Sequence, residues 1–244
     1  MTEIVSQGVL LPKSWLLPDV FRRRMGEDAG RQRLMQEEGQ FLAILHRVPK
    51  AEDKGRREGA FFWIDGEGNW KSAPDSGGRS ALRAHVEAYS ARARELDSHL
   101  EKTTCAEEVH EVIDQAAPLQ RAARNMLEVL QDLRTALPDD GKVLVIRDLA
   151  VGVERTMDLL VQDAKSSLDF LIAKSAGEQA VAAASATEEA RKLNRLAAFF
   201  FPLITLAAIF GISRPSEVLT YDWFFVLCAV GLGMGAVVWS LVKR

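Results

Sequence analysis

The feature that most constrains this chain is a pair of long, uncharged apolar runs close to its C-terminus. Residues 196–212 read LAAFFFPLITLAAIFGI and residues 223–242 read WFFVLCAVGLGMGAVVWSLV, without a charged side chain in either. A helix needs about 20 apolar residues to cross a bilayer core, and about 17 suffice at the lower limit. The runs therefore predict two transmembrane helices joined by an outer loop at 213–222. The alternative, a buried hairpin of a soluble protein, is disfavoured because two such runs are adjacent.

The charges that flank the two runs predict their orientation. Arg191, Lys192 and Arg195 precede the first run, and Lys243 and Arg244 follow the second. The loop between the runs carries one arginine against two carboxylates. Basic residues collect on the cytoplasmic side of membrane helices. We therefore expect a multi-pass protein of the cell (inner) membrane with both termini in the cytoplasm.

The composition of the remaining chain excludes several classes of function. Of the 34 acidic and 31 basic residues, only two and three respectively lie after residue 195. The net charge of −3 is balanced and leaves no basic face for nucleic acid. Two cysteines cannot form a disulfide framework, and no Cys/His spacing matches a zinc site. We find no nucleophile–base pair and no phosphate-binding glycine loop, so we expect no enzyme and no resident cofactor.

Three segments of the charged body have apolar residues every three or four positions, which is typical of helices with a narrow apolar seam. They predict an antiparallel helical hairpin at 79–138 and a stalk helix at 139–195. Thr103 or Thr104 is a candidate N-cap of the second helix, and Asp139 or Asp140 of the third. No proline occurs from 142 to 201. The stalk helix can therefore continue unbroken into the first membrane span.

The N-terminal region, residues 1–78, has a different pattern. Short strands are predicted at Phe41–Val48, Ala60–Ile64 and Trp70–Ser72, with a DGEGN turn before the last one. The residues before 40 are polar and fit either a helix or a loose arm. The predicted fold class is a mainly α membrane protein with a small N-terminal α+β domain.

Glycines in the second run indicate close helix packing. Gly231 and Gly235 form a G-x-x-x-G pattern, and small residues let two helix backbones approach each other in lipid. Ordinary tolerance of glycine in a membrane helix explains the pattern equally well.

Residues 194–213, NRLAAFFFPLITLAAIFGIS, resemble the pore helix of the CorA-type magnesium transporters. That family has Phe-x-Pro-Leu followed by Ile-Tyr-Gly-Met-Asn at the end of a very long helix. The matching positions are Phe200, Pro202, Leu203, Ile209, Phe210, Gly211, Ile212 and Ser213. Pro215 and Glu217 are similar to the Pro-Glu of the family's outer loop. The similarity covers residues 140–244, and the N-terminal strands look like a reduced version of the family's cytoplasmic domain.

The resemblance implies a funnel-shaped homopentamer in the lipid bilayer, with five first spans around a pore for divalent cations. Magnesium or a transition metal would be the transported ion. The residues it implies are Gly211, Ile212, Ser213, Ala208 and Ile204 for the pore and its selectivity, Phe201 and Leu193 for a hydrophobic gate, and Glu217 for cation attraction at the outer loop.

Gly211-Ile212-Ser213 stands where the family has Gly-Met-Asn. A ring of Asn carbonyls can hold a hydrated magnesium ion, because magnesium gives up its water reluctantly. Ser213 is shorter and offers a hydroxyl instead. Two alternatives to divalent-cation transport therefore stay open. They are a signal-gated membrane pore without magnesium selectivity and a non-conducting, membrane-anchored coiled-coil scaffold.

Overall fold

The computed structural model describes residues 11–12, 14–26, 28–49, 57–212 and 221–242. The chain divides into two compact units, Met1–Ile172 and Ala173–Arg244. Each unit is described by itself.

The first unit begins with a short helix, α1 (Asp19–Arg23), and an antiparallel sheet. The strands are β1 (Arg33–Glu37), β2 (Gln40–His46), β3 (Gly59–Ile64) and β4 (Trp70–Ala73), each paired with the next. The small N-terminal antiparallel sheet expected from the sequence is therefore confirmed. Its first strand was not predicted, because polar residues 33–37 were assigned to a helix or a loose arm.

A two-residue turn explains how this polar stretch becomes a strand. Glu38 and Gly39 have φ angles of 48° and 75°, and Glu37 pairs with Gln40 across the turn. Two successive positive φ angles are typical of the type I′ turn, whose twist matches that of a hairpin. The turn therefore holds β1 against β2, and only Met35 of this strand is buried.

Both faces of the sheet are covered, because side chains alternate between faces along each strand. One face packs on the long helices through Phe41, Ala43, Leu45, Ala60, Phe62 and Ile64. The other face packs on the N-terminal segment, through Leu42, Ile44, Phe61 and Trp63 against Trp15, Leu17 and Phe21.

Three long helices follow: α2 (Arg79–Leu100), α3 (Ala106–Ala136) and α4 (Gly141–Ile212). The predicted seams are buried: Leu82, Val86, Tyr89, Ala93 and Leu96 of α2; Val109, Val112, Ala116, Leu119, Ala123, Met126, Leu130 and Leu133 of α3; and Ile146, Ala150, Val153, Met157, Leu160 and Ala164 of α4. Polar contacts also join α3 to α4, where Gln120 and Arg124 donate hydrogen bonds to Asp158 at 2.6 and 3.2 Å.

The helix starts were predicted with mixed success. Asp140 is an N-cap of α4, since its Oδ1 accepts hydrogen bonds from the backbone N–H groups of Lys142 and Val143. The prediction for α3 was wrong, because its N-cap residue is Cys105 rather than Thr103 or Thr104.

Within the first unit, the buried side of α4 ends at Ala164. Ala164 is the last buried residue before the second unit, and Leu168 and Leu171 are only half-buried. Residues 172–194 are all exposed in the single chain, including Val181 and the alanine-rich stretch. The predicted seam therefore continues past the point where α2 and α3 cover it.

The second unit consists of the remainder of α4 and of α5 (Tyr221–Val242). Pro202 lies inside α4 and does not end it, so the predicted continuation of the stalk helix is confirmed. In the part of the chain that the structure describes, no helix is both long and apolar enough to cross a membrane. The segments 196–212 and 223–242, predicted as membrane spans, are helical. Neither helix meets the length and hydropathy required of a membrane span among the described residues.

Candidate functional site

Four of the predicted pore and gate residues lie on one face of α4. At 100° per residue, Leu193, Phe201, Ile204 and Ala208 fall within an arc of about 80°. Leu193, Phe201 and Ile204 are 65%, 71% and 64% exposed, and Ala208 is exposed as well. These four residues are called the α4 face below. Within one chain, the α4 face is apolar and uncovered.

Helix α5 contacts a different side of α4. Gly231 and Gly235 are both buried, and a Cβ on Gly235 would lie 2.8 Å from the backbone oxygen of Phe199. Phe199 lies about 160° around α4 from the centre of the α4 face. The two helices thus meet on the side of α4 that is nearly opposite to the α4 face.

A groove lies beside this contact between α4 and α5. Its lining residues are Lys192, Arg195, Leu196 and Phe199 of α4 and Ala236 of α5, and its volume is about 570 Å³. It is called the α4–α5 groove below. Two cationic side chains therefore stand at a groove whose other lining side chains are apolar.

The predicted selectivity residues lie at the limit of the described chain. Gly211 and Ile212 end α4, and their surroundings are outside the described part, as are Ser213 and Glu217. The filter and the outer loop therefore stay predictions. Thr205 is a polar residue beside the α4 face, and its hydroxyl donates to the backbone oxygen of Phe201 at 2.9 Å.

No group of three or more His, Cys, Asp or Glu side chains could hold a metal ion within the described ranges.

A second cavity, in the first unit, was not found from the sequence. It lies between the sheet and the start of α2, has a volume of about 940 Å³, and is lined by Arg47, Phe62, Asp75, Ser80 and His85 among others. Arg47 forms ion pairs at 3.5 Å with Asp75 and at 3.8 Å with Glu58. This cavity is called the sheet–helix cavity below.

His85 is the unusual residue of the sheet–helix cavity. Its ring packs between Phe62 and Tyr89, with centroids 5.7 and 5.5 Å away. Its Nε2 is buried without a hydrogen-bond partner among the described residues. Burial lowers the pKa of His85 to about 4, and the nearby charge of Arg47 acts in the same direction. The imidazole is therefore neutral at physiological pH.

Neighbouring polar contacts fix the wall of this cavity. The Tyr89 hydroxyl donates to the backbone oxygen of His46 at 2.8 Å, and burial raises the pKa of Tyr89. The buried side chain of Gln32 accepts from the His46 N–H and donates to the backbone oxygen of Ala122. The end of β2 is thus tied to α2 and α3. His85 directly precedes a seam residue, but no spacing signal joins it to Arg47 or Asp75, which are distant in sequence.

No protein-family model and no curated protein sequence matches this chain. Solved structures with a similar fold do match. The cytoplasmic domain of ZntB from Vibrio parahaemolyticus has a TM-score of 0.53 at 10% identity, covering 66% of this chain and 80% of that one. The full-length CmaX protein has a TM-score of 0.53 at 11% identity, covering 89% and 78%. The CorA magnesium transporter from Methanocaldococcus jannaschii has a TM-score of 0.44 at 13% identity, covering 89% and 80%.

At these identities the likeness concerns the fold. A small N-terminal sheet that packs on long helices, the last of them very long, is shared with the ZntB domain and with CmaX. This agrees with the fold that the sequence resemblance implied.

Proposed function

We propose that this chain is one protomer of a CorA-like homopentameric membrane channel that passes divalent cations down their electrochemical gradient. The ion would be magnesium or a transition metal. The observation that carries the proposal is the α4 face, which is uncovered in the single chain and lies nearly opposite to the contact with α5. Five such faces around an axis would line a pore, with α5 on the outside.

The membrane part of the proposal is supported by the sequence. Neither 196–212 nor 223–242 contains a charged residue, and basic residues flank both segments on their predicted cytoplasmic sides. Residues 1–78, 79–138 and 139–195 would then form the cytoplasmic domain, hairpin and stalk. The outer loop at 213–222 would carry Ser213 and Glu217 to the mouth of the pore.

The close approach of α5 to α4 supports the packing role of Gly231 and Gly235. With a backbone oxygen 2.8 Å from the position of a Cβ at Gly235, only glycine allows the helices this separation. Close backbone approach at small residues is a common way in which helices associate in lipid.

A signal-gated pore without magnesium selectivity is the second candidate function. It is favoured because the α4 face consists of apolar side chains, from Leu193 to Ala208. A ring of such side chains excludes water and blocks ions until a conformational change widens it. The sequence Gly-Ile-Ser in place of Gly-Met-Asn also favours this candidate, because Ser213 lacks the side-chain carbonyl of the family's Asn.

Reconstitution in liposomes with an internal magnesium dye tests the proposal. We expect magnesium influx down an imposed gradient, and a parallel assay of the Ser213→Asn variant compares the family's Asn with Ser at the mouth. Influx from the variant alone would favour the second candidate. Absence of influx from both proteins, under gradients of magnesium, zinc, nickel and cobalt, would contradict cation transport. The non-conducting, membrane-anchored scaffold would then be the remaining candidate.

The hydrophobic gate has its own matched test. Phe201→Ala removes a large apolar side chain from the α4 face, so we expect a higher basal ion leak in the same liposomes. Phe225→Ala is the control, because Phe225 is similarly exposed but lies on α5. Equal leak from the two variants would contradict the gating role of Phe201.

A further inference from the structure

The α4–α5 groove combines two chemical properties that no part of the proposed pore requires. Leu196, Phe199 and Ala236 give it an apolar wall, and Lys192 and Arg195 place two cations at it. On α4 these residues are spaced at i, i+3, i+4 and i+7, so they share one face of the helix. The groove thus has an apolar part and a cationic part next to each other.

Lys192 forms a weak ion pair with a residue of its own helix. Lys192 Nζ lies 3.3 Å from Glu188 Oε1, and both side chains are about two-thirds exposed, at 66% and 71%. Exposed pairs of this kind contribute little stability. The ammonium group can therefore turn to a stronger anion in the groove without loss of a buried contact.

We infer that the α4–α5 groove binds an anionic phospholipid of the cytoplasmic leaflet. Lys192 and Arg195 would hold the phosphate of the head group, and an acyl chain would lie along Leu196, Phe199 and Ala236. This inference rests on the proposed function, in which α4 and α5 are membrane helices. Anionic lipids enrich the cytoplasmic surface, and basic pockets between membrane helices bind their head groups.

The position of the groove fits a lipid rather than an ion in transit. Its α4 residues lie on the side of the helix that is about 100° to 160° away from the centre of the α4 face. In a pentamer with the α4 face inward, the groove opens toward the perimeter, where lipid lies. The volume of about 570 Å³ is within the range of about 300–1,000 Å³ that is typical of ligand pockets.

Native mass spectrometry of the full-length protein, purified in a neutral detergent, tests the inference. Phosphatidylglycerol and phosphatidylcholine with identical acyl chains are added separately, and the bound lipids are counted. We expect the wild type to retain phosphatidylglycerol in preference to phosphatidylcholine. Lys192→Gln or Arg195→Gln should weaken that retention roughly fivefold, and the double variant about 25-fold, as expected for two basic residues near a membrane surface.

Matched variants separate a specific site from general charge and from misfolding. Arg191→Gln removes a neighbouring charge that does not line the groove, so it should retain the lipid as the wild type does. Lys192→Arg with Arg195→Lys preserves both charges and should also retain it. Ala236→Trp preserves the charges but fills the groove, so it should lose the lipid.

Equal retention of the two lipids by the wild type would overturn the inference. So would a loss in Arg191→Gln as large as that in the double variant. Carbonate extraction of cell membranes distinguishes a failure of the lipid inference from a failure of the proposed function. A protein that carbonate releases from the membrane would overturn both the lipid site and the proposed membrane channel. A membrane-integrated protein without preference for phosphatidylglycerol would overturn the lipid site alone.

Discussion

The buried imidazole of His85 predicts a loss of stability at mildly acidic pH. Its pKa is about 4 in the folded protein, against about 6.5 in an unfolded chain. Burial is the main cause and the charge of Arg47 adds to it, while the Asp75 carboxylate and the backbone oxygen of His46 act in the opposite direction. Protonation of the folded protein would place a charge between Phe62 and Tyr89, where Nε2 has no described partner.

The direction and size of the effect follow from proton linkage. Between pH 6.5 and pH 4 the unfolded chain binds a proton at this residue and the folded protein does not, so the free energy of unfolding decreases as the pH falls. The contribution is fully present above about pH 6.5 and is lost as the pH falls through about 4. The whole shift corresponds to about 3 kcal/mol, of which about 1 kcal/mol is lost between about pH 7.5 and about pH 5.5.

Urea unfolding followed by tryptophan emission measures this loss, because Trp15, Trp63 and Trp70 all lie in the first unit. We expect His85→Phe to lower the pH dependence of the free energy of unfolding by about 1 kcal/mol over this interval. Carboxylates titrate mainly below it. Burial also lowers the pKa of His46, so a smaller pH dependence should persist in the variant.

The control for this experiment is His99→Phe, which changes an exposed histidine on the same helix. It should keep the wild-type pH dependence. If His85→Phe and the wild type lose the same free energy between the two pH values, the imidazole is not excluded from protonation and the reasoning is refuted.

Two further predictions concern the helices. Gly235→Leu should weaken assembly in detergent, because its Cβ would lie 2.8 Å from the backbone oxygen of Phe199. Size-exclusion chromatography with light scattering measures the assembly. Gly233→Leu is the control, since a Cβ there meets nothing within 4 Å. Asp140→Ala should lower the free energy of unfolding by about 1 kcal/mol through loss of the N-cap of α4. Asp139→Ala, at an exposed neighbouring position, should leave it unchanged, and equal losses would contradict the capping role.

The helical body was predictable because its information is local. The spacing of Leu82, Val86 and Tyr89 defines the buried side of α2 without knowledge of its partners, and the same holds for the seams of α3 and α4. The cap at Asp140 follows from a Pro-Asp-Asp-Gly sequence. Periodicity and turn residues are sufficient for these features.

Other features depend on contacts between residues that are distant in sequence. Strand β1 has a polar sequence and exists because the Glu38–Gly39 turn returns it to β2. The environment of His85 is formed by β3 and by Arg47 and Asp75 from two loops. A periodic pattern on α2 cannot reveal these partners, so the sheet–helix cavity was missed.

The predicted pore residues show a third situation. The resemblance implied pore-facing roles for Leu193, Phe201 and Ile204, and all three are exposed in the single chain. Their roles in conduction depend on neighbouring copies and on ions, so they stay proposals. The membrane spans were predicted from the hydropathy of two uncharged runs of sequence. Among the described residues, no helix is long and apolar enough to be a membrane span.

The exposed, alanine-rich part of α4 allows contacts between subunits to be detected by mutagenesis and selection for activity. Every side chain from 172 to 191 is exposed in the single chain, so replacement by a larger residue there disturbs no buried packing within the protomer. Any position in this stretch that rejects bulky residues in a selection for activity therefore reports a contact between copies. The spacing of such positions along the helix would show which faces of α4 contact other subunits. Growth rates alone would then report on the quaternary structure.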